Sequence, residues 1–107
     1  MMENHPLGSQ FFIPLDTFDY LVAVAEAKST VMPEDVLVFS CSHKQGVNFK
    51  PGVWHHPLLV LSEQQDFLVI DRAGAGENLV EQDLASPIMV DLDENNPQVR
   101  LEPRPRQ

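Results

Sequence analysis

Residues 46–61 read GVNFKPGVWHHPLLVL, and this stretch decides the fold. The β-formers of 46–49 run into Pro51-Gly52, a pair suited to a tight turn. Residues 53–61 then form an apolar run that carries two adjacent histidines, His55 and His56. Neighbouring side chains of a strand point to opposite faces. If 53–61 is one strand, His55 and His56 cannot share a role: one points inward and the other outward. Pro57 has no N–H for a ladder, so it belongs at an edge, at a bulge or at the start of regular pairing.

The same signature recurs on both sides. SQFFIPL (9–15) is an apolar run bounded by Gly8 and Asp16, and DYLVAVAEA (19–27) is rich in β-formers at its start. In MPEDVLVF (32–39), Pro33 with Glu34 and Asp35 predicts a short helical turn, whereas VLVFS reads as a buried strand. DFLVIDR (66–72) is a strand joined to 53–61 by the polar turn SEQQ (62–65). Short strands at close spacing predict an all-β antiparallel barrel or sandwich. From Pro87 the composition changes: residues 87–107 hold four of the nine prolines and end in alternating proline and arginine. The expected organisation is a β domain over 1–86 followed by a proline-rich, flexible tail over 87–107, with roughly 91–107 mobile.

Composition removes several function classes. With 107 residues the chain makes one small domain, and 43% apolar content is that of a folded protein. The net charge of −9, with only Lys28, Lys44, Lys50 and Arg72 as cations before residue 87, argues against a nucleic-acid partner. No run has the length of a membrane span. The start, MMENHPLGSQ, lacks the basic and apolar regions of a signal peptide, and one cysteine, Cys41, forms no internal disulfide. A cytoplasmic location is the expectation. GAGEN (74–78) lacks the third glycine of a phosphate-binding fingerprint and reads as a turn.

Two spacings sharpen the barrel reading. Cupin barrels carry a histidine-x-histidine-x4-glutamate motif and a later proline–glycine turn leading into a strand that bears a third histidine. Here Glu3-x-His5 with Gln10 has the spacing of the first motif, and Pro51-Gly52 with His55 resembles the second. Glutamate replaces the first histidine, glutamine replaces the final glutamate, and Leu59 stands where an asparagine is usual. Taken together, ENHPLGSQFFIPL, QGVNFKPGVWHHPLLVL and DFLVIDRAGAGENL resemble the ureidoglycolate lyase family over about residues 1–84. The resemblance implies a cupin-like barrel, incomplete on its N-terminal side because family members carry further strands before the HPLG block. It implies release of urea and glyoxylate from ureidoglycolate in allantoin and purine breakdown, and a homodimer. The rival readings are another metal-dependent cupin enzyme, or a non-catalytic, truncated remnant.

Lysis of a carbinolamide needs a base for the hydroxyl proton, a proton for the leaving nitrogen and donors for the carboxylate. On the resemblance and the spacing, His5, His55, Gln10 and Glu3 are the expected catalytic set. His5 and His55 would move protons, because imidazole titrates near neutrality, and Glu3 would act as base or orient His5. Gln10, His56 and Arg72 are the expected contacts to the small anionic substrate. No cofactor is expected. If a divalent ion such as manganese, nickel or zinc binds, Glu3, His5, Gln10 and His55 are the ligand set. The plainer readings are a turn-capping His5, a rim or interface His56, an Arg72 paired with Asp71, and packing roles for Trp54 and Cys41.

Overall fold

The computed structural model describes residues 1–92 and 99–103. Eleven strands and one 3₁₀ turn at Pro33–Asp35 make up its regular structure, so the chain is all-β. The helical turn falls where Pro33-Glu34-Asp35 predicts it, and β4 (Leu37–Cys41) follows directly, but as an edge strand that is largely exposed rather than buried as expected, with Leu37 and Phe39 both more than half exposed.

The larger sheet runs β4, β3 (Tyr20–Ala25), β6 (Trp54–His55), β1 (Met2–Asn4), β9 (Val80–Gln82), with β7 (Leu59–Val60) also paired to β3. The second sheet runs β5 (Val47–Phe49), β2 (Gln10–Pro14), β8 (Phe67–Asp71), and all pairs are antiparallel. The two sheets face each other across a core of Tyr20 and Val22 from one and Phe49 from the other, with Phe12, Val47 and Phe67 packed around them. Among the described residues they form a sandwich that does not close into a barrel. The opposite face of the larger sheet is also covered: Met2, Ala23, Ala25 and Trp54 pack with Val31 and Val36. Burial on both faces explains why β3 reads as a continuous apolar run rather than an alternating one.

Residues 53–61, expected as one strand, form two. β6 pairs with β3 through Ala25↔Trp54 and Val24↔His55, and β7 pairs with the same strand through Leu21↔Leu59 and Tyr20↔Val60. The register slips by one residue between these pairs, so one extra residue is accommodated at Pro57–Leu58. That is a β-bulge, placed where the missing proline N–H makes regular pairing impossible. The bulge also resets the faces. His55, Pro57, Leu58 and Val60 point toward the second sheet, whereas His56 and Leu59 point to the opposite side.

Pro51-Gly52 carries the chain from one sheet to the other. The Val53 N–H donates to the Lys50 carbonyl at 3.1 Å, and Gly52 takes φ 81°, a conformation that glycine reaches without strain. The Gly52 N–H donates in turn to the His5 carbonyl at 3.1 Å, tying the turn to the end of β1.

Within the segment read as a flexible tail, β10 (Ile88–Leu92) pairs with β11 (Val99–Pro103) from Ile88↔Pro103 to Leu92↔Val99, and Ile88 packs with Leu84 against the Met2–Trp54 face. The rest of that segment beyond Leu92, 93–98 and 104–107, lies outside the described residues.

Trp54 is 2% exposed and its indole N–H donates to the Lys28 carbonyl at 2.8 Å. Trp54→Ala is expected to cost about 3–5 kcal/mol, and Trp54→Phe about 1–3 kcal/mol through the carbonyl left unpaired. Urea unfolding followed by circular dichroism measures both, and a Trp54→Ala variant as stable as the parent would refute the packing account.

Candidate functional site

Strand parity assembles the site. On β1, Met2 and Asn4 face one side; Glu3 faces the other, and His5, just past the strand, comes back to the Glu3 side. Glu3 stands directly across from His55 in the β1–β6 register. Ligand-type atoms of Glu3, His5 and His55 all lie within 4.8 Å of one another. The two imidazoles are 5.2 Å apart, centroid to centroid.

The second sheet supplies the facing wall. Glu3, Gln10, Phe12, Phe49, His55 and Gln65 belong to the lining of a cleft of about 430 Å³ between the sheets. His5 stands beside this wall rather than in it. Phe49 stacks face to face on His55, with centroids 4.2 Å apart and planes 4° from parallel. The Gln10 amide N–H donates to Asp71, its register partner, at 3.0 Å, and the Gln65 amide N–H donates to the Phe18 carbonyl at 2.8 Å. Each amide thereby leaves its Oε1 buried and unpartnered. Flipping Gln10 would set Oε1 against the Asp71 carboxylate, so the assigned orientation is the electrostatically sound one.

The histidines differ in environment. His5 Nδ1 lies 2.7 Å from the Asn78 carbonyl oxygen, while its Nε2 is buried without a hydrogen-bond partner, 3.7 Å from Glu3 Oε1. His55 is 2% exposed and neither ring nitrogen has a partner. Burial, with the neighbouring His5 charge second, pushes its pKa down from 6.5 to about 4. At neutral pH His55 is an uncharged imidazole with one N–H and one lone pair to offer.

The other expected contacts lie elsewhere. His56 is on the far side of the larger sheet, where it lines a second, mostly apolar cavity of about 640 Å³ with Met2, Ala23 and Leu59. Its Nδ1 lies 2.8 Å from the Pro57 carbonyl. The Arg72 guanidinium does not reach the cleft: it donates to the Ala75 carbonyl at 2.8 Å, and only the Arg72 backbone N–H meets Asp71, at 2.8 Å. Cys41 is half-buried, and burial pushes its thiol pKa up, away from nucleophilic use.

Residues 1–91 match the sequence model of the family described as ureidoglycolate lyase. The chain belongs to the ureidoglycolate lyase family. It is 53% identical over 78 residues to a ureidoglycolate lyase of Azotobacter vinelandii, an alignment covering 73% of this chain and 47% of that protein. It is 51% identical over 84 residues to that of Burkholderia mallei (78% and 49% covered) and 49% identical over 78 residues to that of Stutzerimonas stutzeri (73% and 46%). The chain thus spans about half the length of the curated relatives it matches. For this member of the ureidoglycolate lyase family, the structure adds Phe49, Gln65 and Asn78 to the neighbourhood of the expected residues. Gln65 and Asn78 have no local signal, since their hydrogen-bond partners Phe18 and His5 lie 47 and 73 residues away, whereas Phe49 stacks on His55 within the 46–61 stretch itself.

The His55 environment has a consequence for stability. Its folded pKa of about 4 lies below the ordinary 6.5, so between these values the unfolded chain binds more protons than the folded one. Its contribution to stability is therefore complete above about pH 6.5 and is lost as pH falls through about 4, a loss on the order of 3 kcal/mol. Denaturant midpoints measured across this range are expected to fall more steeply for the wild type than for His55→Phe. Parallel curves would show that His55 is not buried as a neutral ring.

Proposed function

We propose that this chain carries the ureidoglycolate-cleaving site of its family, releasing urea and glyoxylate. The observation that carries the reading is the meeting of Glu3, His5 and the buried His55 beside the cleft, with His5 Nε2 and both His55 nitrogens unpartnered. Unsatisfied buried polar atoms cost about 1–3 kcal/mol each, and groups left free in this way are suited to a ligand.

The substrate's functional groups fit these atoms. The ureido end offers N–H donors, and the Gln10 amide oxygen, on the strand beside Phe49, is a free acceptor. His5 Nε2 takes the proton of the substrate hydroxyl. As the C–N bond breaks, the C–O bond becomes the aldehyde carbonyl of glyoxylate, and His5 returns that proton to the departing urea nitrogen. Glu3 stabilises the transient imidazolium. The His55 N–H faces the substrate carboxylate, and the stacked Phe49 ring holds the plane of that imidazole and keeps water from it.

A second reading is favoured by one observation. The cleft lining holds acceptors and a carboxylate but no lysine or arginine, although the substrate is an anion. A divalent cation on Glu3, His5 and His55 would supply that positive charge and polarise the substrate oxygens. The residues fit such an ion: His5 gives its other nitrogen to a backbone carbonyl, the usual outer contact of a metal-bound imidazole. Gln10 lines the same cleft, and its unpartnered Oε1 would be the fourth donor.

We also propose self-association through β8. Its Leu68, Val69 and Ile70 are 47–57% exposed on both faces, and its outer edge has no strand partner among the described residues. No helix among the described residues is long and apolar enough to cross a membrane. A cytoplasmic setting is proposed on the single unpaired cysteine.

Purified chain incubated with ureidoglycolate is expected to form urea and glyoxylate in equal amounts, with no ammonia. His5→Ala and His55→Ala should lower kcat about 100- to 10,000-fold, whereas His56→Ala, on the other face, should stay within a few-fold. Unchanged turnover in both site variants would overturn the assignment, and no turnover by the folded wild type would favour the remnant reading. For the metal reading, dialysis against nickel, manganese or zinc followed by elemental analysis is expected to leave near-stoichiometric metal that Glu3→Gln lowers. Less than about a tenth of an equivalent in the wild type removes it.

A further inference from the structure

The segment after β8 makes four contacts with the turn that follows β1. The His5 Nδ1 to Asn78 carbonyl contact is 2.7 Å. A carbonyl only accepts, so Nδ1 carries the hydrogen, and in the neutral ring Nε2 then bears the lone pair. The Asn78 side chain grips the same turn: its Oδ1 accepts the Leu7 N–H at 2.8 Å. One residue therefore holds the imidazole through its backbone and the chain two residues further on through its side chain.

Two glycines permit this approach. Gly76 takes φ 97°, and a Cβ built on it would stand 2.8 Å from Leu7 Cδ1. A Cβ on Gly8 would stand 2.8 Å from Arg72 Cβ. Arg72 in turn closes the loop on itself by donating to the Ala75 carbonyl at 2.8 Å. The GAGEN turn and Arg72, neither of which reaches the cleft, are thus built against the HPLG turn. On the other side of His5, its carbonyl accepts the Gly52 N–H at 3.1 Å.

We propose that the Arg72–Asn78 segment is a clamp that fixes His5 as the Nδ1–H tautomer with its Nε2 lone pair turned toward Glu3 and His55, and that Asn78 is its positioning residue. The catalytic consequence rests on the lyase reading; the tautomer does not. Asn78 touches no reacting atom. It acts through His5, and without its side-chain anchor the carbonyl that selects the tautomer is no longer held in place.

The test is nitrogen-15 NMR of histidine-labelled wild type, Asn78→Ala and Asn78→Asp at about pH 8, above the ordinary imidazole range, with steady-state kinetics on the same samples. The wild type is expected to show His5 protonated at Nδ1 alone. Asn78→Ala should mix the two tautomers and lower kcat roughly 10- to 100-fold with KM little changed. Asn78→Asp keeps an acceptor oxygen for the Leu7 N–H and should restore both. A wild-type His5 protonated at Nε2 overturns the inference, as does an Asn78→Ala spectrum with the tautomer intact. If Asn78→Ala does not fold, the wild type and Asn78→Asp decide: mixed tautomers in a folded Asn78→Asp overturn the clamp. A chain that turns over no ureidoglycolate but shows the expected tautomers sinks the lyase reading and leaves the clamp standing.

Discussion

The structure depends on a strand of two residues. Trp54 and His55 form β6, which bonds to β3 on one side and to β1 on the other. Without it the larger sheet separates into two pieces, and the wall that carries Glu3 loses its tie to the wall that carries Tyr20. The strand survives at this length because both its faces are buried. Trp54 fills the core on one side, with its indole N–H satisfied by Lys28, and His55 lies under Phe49 on the other. Burial of large side chains contributes what two residues of ladder cannot.

The same placement creates the site. A residue that must be buried to hold the sheet is also a polar residue without partners, and stability and chemistry therefore compete at His55. The surroundings limit the conflict by leaving the ring neutral, since a buried neutral imidazole costs far less than a buried cation. The unpartnered amide oxygen of Gln10 and the free His5 nitrogen repeat the pattern beside it. Orphaned polar atoms gathered around one buried imidazole are what a binding site looks like before its ligand arrives.

Much of this was legible in the residues. Apolar runs located β2, β3, β5 and β8, and Pro33-Glu34-Asp35 marked the 3₁₀ turn. The alternation of a strand separated His55 from His56, and motif spacing grouped Glu3, His5 and Gln10 with His55. The rest needed partners. The bulge at Pro57–Leu58 is a property of the register against β3, so a single run of apolar residues concealed two strands. Arg72 looked available for a substrate carboxylate because a sequence lists charge but not the carbonyl of Ala75 that takes it up. Gln65 and Asn78 entered through contacts between distant segments, for which no local pattern exists, and Phe49 through the turn at Pro51-Gly52 that folds it back over His55. The ladder of β10 and β11 lay within a proline-rich stretch whose composition outweighed the apolar alternation of its first residues.

Strand β8 has one more consequence. Phe67–Ile70 is an uninterrupted apolar quartet of β-formers on a half-bare strand, the composition that templates cross-β stacking. It is bracketed by Asp66 and Asp71, two carboxylates that act as gatekeepers at its ends. The chain's net charge of −9 adds mutual repulsion between molecules. Both protections are carboxylate charge, so they fade together as pH falls toward the isoelectric point of about 4.6, where His55 also begins to take up its proton. Colloidal and conformational stability thus fail in the same direction, and protein brought near its isoelectric point would be lost to aggregates rather than recovered as unfolded monomer.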